Sequence, residues 1–294
     1  MKHKISGFTF GKNLLSLGYP VVESIKSLLP LCDEVIVNIG FDDLNSKKDD
    51  GTFQFLLDHF SSNTKVIFMT SQWDQTMTQR GEVLAQQTNL ALDKCQHPFC
   101  HYIQADEVLH EDDYPLIEKG VRQLRDDSQA DGLLYDFVHF YSSPSVIRYG
   151  RDVYRKEIRL IRNGRNIRSY RDAQGFRHQN NEKLSILETK ARIFHYGWAR
   201  NEEIMQKKIA AMNKFYGASD KKVIFNYEHI WGTRPFKETH PDVMKHWIKE
   251  HHSSRNILKE KMIFRPEDIK SILLDSIEKL TSHRLGEYKN YKGH

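Results

Sequence analysis

The run EVIVNIG, residues 34–40, limits the fold more than any other stretch of the chain. A strand covered on one face alternates apolar and polar residues. A short, nearly continuous apolar run rich in Val and Ile needs cover on both faces, the position of a strand in a parallel sheet layered between helices. Its neighbours repeat the signal. KISGFTF (4–10), KVIFMT (65–70) and HYIQAD (101–106) are strand-like, and helix patterns lie between them. In YPVVESIKSLLP, Pro20 suits a first helical turn, and Val21, Val22, Ile25, Leu28 and Leu29 form one stripe. Residues 81–93 and 112–127 carry further helices, the latter with Ile117, Val121 and Leu124 inward. This β-α-β-α order predicts an α/β fold, a mainly parallel sheet flanked by helices. Ligands of such sheets bind beyond the carboxyl ends of the strands, where Asp42, Asp43, Asp106 and Glu107 fall.

The pattern changes after residue 130. GLLYDFVHFYSS reads as a long strand and KARIFHYGW (190–198) as another. EIRLIRNGRNIRS reads as a hairpin turning at Asn163-Gly164. Beyond about residue 200 the signals are helical, which divides the chain into a main domain, 1–204, and a helical extension, 205–294. In that extension Trp231, Phe236, Trp247 and His252 suit a core or an interface. Apolar residues make up 39% and charged residues 28%, enough for a packed core and against disorder. No apolar run has the length of a membrane span and no signal-peptide core follows the N-terminus, so the expected location is the cytoplasm, or the periphery of the inner membrane. Cys32, Cys95 and Cys100 make no disulfide framework. Cys95, His97, Cys100 and His101 crowd four zinc-type ligands into seven residues, unlike the separated pairs of structural zinc sites.

Three constellations carry chemistry. Asp106, delivered by a strand, offers hard oxygen to Mn²⁺ or Mg²⁺, whereas Glu111, Asp112 and Asp113 suit a helix start. From Arg148 to Arg171 basic residues dominate. Arg159, Arg162, Arg165 and Arg168 are placed either to clamp a diphosphate or to keep an edge hairpin soluble. His195, in FHYGW, is either a ligand or a packed histidine. The net charge of +5 fits a phosphate-bearing partner, while the scattered Tyr149, Tyr154 and Tyr170 and the lack of a recognised motif speak against nucleic acid.

ISGFTFGKN, CDEVIVNIGFDDLNSKKDDGT, YIQADEVLHEDD, RLIRNGRNIR and IFHYGW, in that order over residues 4–200, resemble an inverting, family-two-like glycosyltransferase with the GT-A fold of bacterial, cell-envelope type. The resemblance implies a nucleoside diphosphate-sugar donor, a saccharide or lipid-linked hydroxyl acceptor, and Mn²⁺ or Mg²⁺ on Asp106 with His195 as second ligand. Gln104 stands where the family's first metal-motif acid is expected, and offers a hydrogen bond in place of a charge. Thr9, Phe10, Asp42 and Asp43 map near the base. Arg80 and Arg159 map near the phosphates. The acceptor's base falls to Asp172, with Glu157 and Asp136 as rivals. Nucleotidyl transfer, a sugar-nucleotide-binding protein without turnover, and a homodimer stay open.

Overall fold

The computed structural model describes residues 4–217, 224–251, 255–286 and 288–294. His252 lies outside them. In chain order the first elements are β1 (Ile5–Gly11), α1 (Val21–Leu28), β2 (Glu34–Phe41), α2 (Thr52–His59), β3 (Val66–Gln72), α3 (Glu82–Leu92), β4 (Phe99–Tyr102), β5 (Glu107–Leu109) and α4 (Tyr114–Asp126). There follow β6 (Gly132–Tyr141), β7 (Ser143–Arg148), β8 (Lys156–Arg162), β9 (Ile167–Tyr170), β10 (Gly175–His178) and β11 (Leu184–Trp198). The last part holds α5 (Glu202–Asn213), β12 (Thr233–Pro235), α6 (Lys245–Glu250), α7 (Asp268–Thr281) and β13 (Tyr291–Gly293).

One large sheet runs β12-β7-β6-β8-β4-β1-β2-β3, with β11 alongside β6 and also paired to β5 and β13. Its centre is parallel: β4, β1, β2 and β3 are parallel neighbours. β8, β7, β12 and β5 enter antiparallel, so the sheet as a whole is mixed. The expected α/β architecture is therefore present, with its parallel order confined to the middle and to the ladders of β11.

EVIVNIG is buried throughout β2, and its side chains divide between two cores. Val35, Val37, Ile39 and Phe41 meet α1, α2 and α4 through Ile25, Leu28, Leu56, Ile117 and Val121. Ile36 faces the opposite layer, where α3 brings Val83, Leu84 and Ala91. The polar side chain in the middle of the run, Asn38, is satisfied inside this layer. It donates to the Gln87 carbonyl and side-chain oxygens at 3.1 Å and accepts from Ser71 Oγ at 2.8 Å, which pins α3 to the sheet.

Two expectations fail for physical reasons. β8 and β9 do not form a hairpin. Asn163-Gly164 does make a turn, with Gly164 at φ 75°, but both edges of β8 are already taken by β4 and β6. β9 therefore pairs with β10 in a separate two-stranded sheet. The stretch DDGT proves to be a helix start. Asp49 and Asp50 accept from the amides of Gly51, Thr52 and Phe53, opening α2, which is not among the expected helices. Residues 205–294 are mainly helical, yet β12 and β13 join the large sheet and the 204/205 division falls inside α5.

Candidate functional site

The carboxyl ends of the central strands open into a cleft of about 540 Å³. Its floor is the turn that follows β4. The strand expected to run through Asp106 stops at Tyr102. Residues 104–107 then close a turn in which the Glu107 amide donates to Gln104 O at 2.9 Å and the Gln104 amide donates to Glu107 Oε2 at 3.0 Å. Arg159, on β8 and fully buried, grips Glu107 with two parallel bonds of 2.7 and 2.8 Å. Fork-to-carboxylate pairing of this kind is rigid, and loss of either partner would strand a buried charge at a cost of about 3–5 kcal/mol. Arg159 thus works behind the cleft wall, away from any phosphate. Its Nη1 donates to Gln174 O at 2.7 Å and to Ile158 O at 3.0 Å.

Asp106 is held at the apex of this turn, its carbonyl accepting from the Tyr196 amide of β11 at 2.8 Å. Its carboxylate is buried yet faces two cations, Lys208 Nζ at 2.9 Å and Arg200 at 3.4 Å from Oδ2, while His195 Nε2 lies 3.7 Å from Oδ1. Burial alone would raise the carboxyl pKa. The charge of Lys208 and its neighbours outweighs burial and holds the group well below the usual carboxylate range.

The protonation of His195 follows from its neighbour. His139 Nε2 lies 2.7 Å from the Tyr154 carbonyl oxygen, which can only accept, so this nitrogen carries the hydrogen. Burial depresses both imidazoles, His139 to about 4 and His195 to about 3, so both are neutral at pH 7. His139 Nδ1 is then a lone pair, and His195 Nδ1, 2.9 Å away, donates to it. His195 Nε2 is left bare, facing the carboxylate of Asp106. One imidazole nitrogen and one carboxylate oxygen, side by side, suit Mn²⁺ or Mg²⁺ completed by phosphate oxygens and water. Among the described residues no cluster of three or more His, Cys, Asp or Glu could hold an ion unaided. The zinc-type residues do not gather either: Cys95 and Cys100 are buried free thiols, and His101 Nε2 bonds the Tyr135 hydroxyl at 2.9 Å.

The upper wall is aromatic. Trp73 stands between Phe10 and Phe215, ring centroids 6.2 and 5.1 Å away, with Lys12 Nζ 5.4 Å above it. Its buried Nε1 has no partner among the described residues. Beside it Asp42 accepts from Lys12 and Gln75.

The far wall is the loop 171–174, where Arg171 and Ala173 hold left-handed φ of 54° and 60°. Gln104 Nε2 donates to Ala173 O at 3.3 Å, Arg159 holds Gln174 O, and Gln174 Nε2 donates to Glu157 Oε1 at 2.7 Å. These ties set Asp172 into the cleft, where Tyr216 OH donates to it at 3.3 Å. Phe10, Asp42, Gln104, Asp106, Asp172 and His195 therefore converge on one cavity. Thr9 is buried within β1; Asp43 caps the turn at Asn45 and Ser46; Arg80 is exposed outside the lining. Glu157 lies buried behind Gln174, and Asp136 sits 3.6 Å from Lys156 on β6, outside the cleft lining. The other hairpin arginines are structural: Arg162 binds the carbonyls of Ala130 and Asp127, Arg165 binds Asp131, and Arg168 binds Asp93. Sequence reasoning missed His139, Arg200, Lys208 and Trp73. The first three reach the site from long strands or the tail, with no local motif. Trp73, an aromatic at the end of a predicted strand, was the one with a signal.

No protein-family model matches the chain, and no curated protein matches it. Among solved structures it is similar to S. aureus TarS 1–349, at 13% identity over 74% of this chain and 67% of that one, with a TM-score of 0.38. A superposition so loose assigns neither substrate nor site.

Proposed function

We propose that the protein is a GT-A-type glycosyltransferase that moves a sugar, with inversion, from a nucleoside diphosphate donor to a hydroxyl acceptor in the synthesis of a cell-envelope polysaccharide. The observation that carries this reading is the pairing of an ionised Asp106 with a neutral His195 whose bare nitrogen faces it, at the carboxyl edge of a parallel sheet, beneath an aromatic cradle. The base stacks against Trp73 and Phe10. Asp106 and His195 would hold a Mn²⁺ or Mg²⁺ ion, which would supply neutralisation of the charge that develops on the leaving group. Lys208 adds a second positive charge. Asp172 removes the acceptor's proton as the acceptor oxygen bonds to the anomeric carbon. The bond from that carbon to the diphosphate oxygen breaks, and its electron pair leaves with the nucleoside diphosphate. Asp172 lines the cleft and Glu157 and Asp136 do not, which supports Asp172 over its two rivals. The reading places the protein in the cytoplasm, with its tail on the inner membrane; no helix among the described residues is long and apolar enough to cross it.

Calorimetry with a panel of nucleoside diphosphates, with and without Mn²⁺, tests the reading. Binding of one of them, strengthened at least about ten-fold by Mn²⁺, is expected; a folded protein that binds none overturns it. A second reading, a sugar-nucleotide-binding protein without turnover, is favoured by one observation: Lys208 and Arg200 already neutralise Asp106. Slow donor hydrolysis without acceptor separates the two, since release of free sugar belongs to the enzyme alone.

A further inference from the structure

Helix α7 carries an apolar stripe on its outer face. A surface helix normally turns its apolar stripe inward and its charges to water. Among the 14 residues of α7 none is buried. Its two central acids point into the protein: Asp275 accepts from Arg151 at 2.9 Å and Trp231 Nε1 at 3.1 Å, and Glu278 accepts from Arg151 and Arg155 at 2.9 and 2.7 Å. Ile272, Leu274 and Ile277 are half-buried, while the other three apolar residues point out, with Ile269 63%, Leu273 61% and Leu280 87% exposed. At about 100° per residue, Ile269, Leu273, Ser276 and Leu280 form one narrow stripe. Exposed Lys270 and Lys279 flank it, about 90° to either side. The segment leading into the helix continues the exposure with Met262, Ile263 and Phe264, the last 56% exposed, after exposed Lys261.

We infer that α7 and residues 261–264 dock on an anionic lipid surface, the apolar stripe among the acyl chains and the flanking lysines among the headgroups. The charges choose this occupant. A second copy paired through the same face would set Lys270 and Lys279 against a like pair, with both central acids of α7 turned away. An anionic surface meets them directly. α7 also lines a cavity of about 770 Å³, through Asp268, Lys270, Ser271 and Leu274, and that cavity shares Tyr154 and Gln174 with the cleft. Docking by this face would bring the cleft system to the membrane, where a lipid-linked acceptor resides. The inference thus deepens the membrane part of the proposed function.

The test uses the full chain and measures no catalysis, so its outcome is separate from that of the glycosyl-transfer reading. The protein is co-sedimented with phosphatidylcholine vesicles, with and without phosphatidylglycerol, over a salt series. Binding to the anionic vesicles that weakens with salt is expected. It should fall roughly ten-fold or more in Leu273→Asp/Leu280→Asp, and likewise in Lys270→Glu/Lys279→Glu. Neither pair removes a buried residue, so both variants should keep the wild-type circular dichroism and melting temperature. Absent binding by wild type, or undiminished binding by the folded variants, overturns the inference. So does a wild-type dimer in sedimentation that Leu273→Asp/Leu280→Asp makes monomeric.

Discussion

At the scale of the residue, the site depends on two buried groups that never touch its cleft. His139 fixes which nitrogen of His195 is bare, because the Tyr154 carbonyl claims its own hydrogen. In His139→Phe the ring volume remains and the acceptor is gone, freeing His195 to place its hydrogen on Nε2. Mn²⁺ affinity, read by electron paramagnetic resonance, should fall about 10- to 100-fold. Imidazole ¹⁵N spectra of the metal-free protein should change from one His195 tautomer to a mixture. An unchanged spectrum would sink the relay whatever the metal does. Glu157 is the second. Burial raises its pKa to about 7, above the ordinary carboxyl value, with Arg159 opposing, and its Oε2 has no partner among the described residues. A raised folded pKa means a contribution fully present below about pH 4.5 and lost as pH rises through 7. Glu157→Gln keeps the neutral shape. It should match wild type at pH 5 and exceed it at pH 8 by on the order of 2 kcal/mol, as denaturant titrations at the two pH values would show. His139 and His195 act in the opposite direction. Their folded pKa values are lowered by burial, so their share of stability is lost as pH falls from about 6.5 toward 4 and 3. The windows overlap, and with two imidazoles opposing one carboxyl the wild-type optimum should lie near the upper end of the overlap, about pH 6.5. Asp106 and Asp172 were legible in the sequence because they follow a strand end or a turn, where parallel sheets present ligands, and His195 because it stands near the end of β11. His139 was not, since its role depends on a register across two strands 56 residues apart.

At the scale of the element, the strands and helices of the first 130 residues were readable because burial on two faces leaves an unmistakable run, as in β2, and one-sided burial a stripe, as in α4. The failures came where an element's partner, rather than its own pattern, decided the outcome. β9 has an alternating sequence and a proper turn before it, yet β4 and β6 had already occupied both edges of β8. Gly40 shows the same dependence in one position. A Cβ placed there would lie 1.7 Å from Trp73 Nε1, so the end of β2 is bare in order that the indole can lie across it. Gly40→Ala should push Trp73 out of the aromatic cradle. The strand itself should survive at a cost of about 1–3 kcal/mol, the usual range for overpacking. Nucleoside diphosphate affinity should drop at least about ten-fold, because stacking contributes about 1–3 kcal/mol per base. Tryptophan fluorescence and calorimetry on the same sample would reveal both effects. Wild-type affinity in the variant would remove Trp73 from the donor site.

At the scale of the whole molecule, the division at residue 204 cuts through what the packing makes one body. Residues beyond it complete both the sheet and the site. β13 pairs with β11, β12 pairs with β7, and Lys208 of α5 reaches Asp106. They also close two cores. Trp247 and Met244 cover Phe140, Phe194 and Tyr196, while Met205, Tyr227, Ile230 and Ile257 enclose Tyr141 and Val146. Six large apolar side chains of the tail are thus buried: Met205, Tyr227, Ile230, Met244, Trp247 and Ile257. At about 1.5–3 kcal/mol each, removing them forfeits roughly 9–18 kcal/mol of burial, as much as the net stability of an ordinary domain, about 5–15 kcal/mol. A chain ending at residue 204 should therefore lack a folded ground state. Its circular dichroism should show no cooperative thermal transition, and it should bind an apolar dye that the full chain excludes. The full chain, by contrast, should melt in one step, with near-ultraviolet and far-ultraviolet signals coincident. A soluble 1–204 fragment with a sharp transition and dispersed proton spectra would restore the two-part organisation that the hydrophobic pattern alone suggested, and would reduce the tail to an accessory.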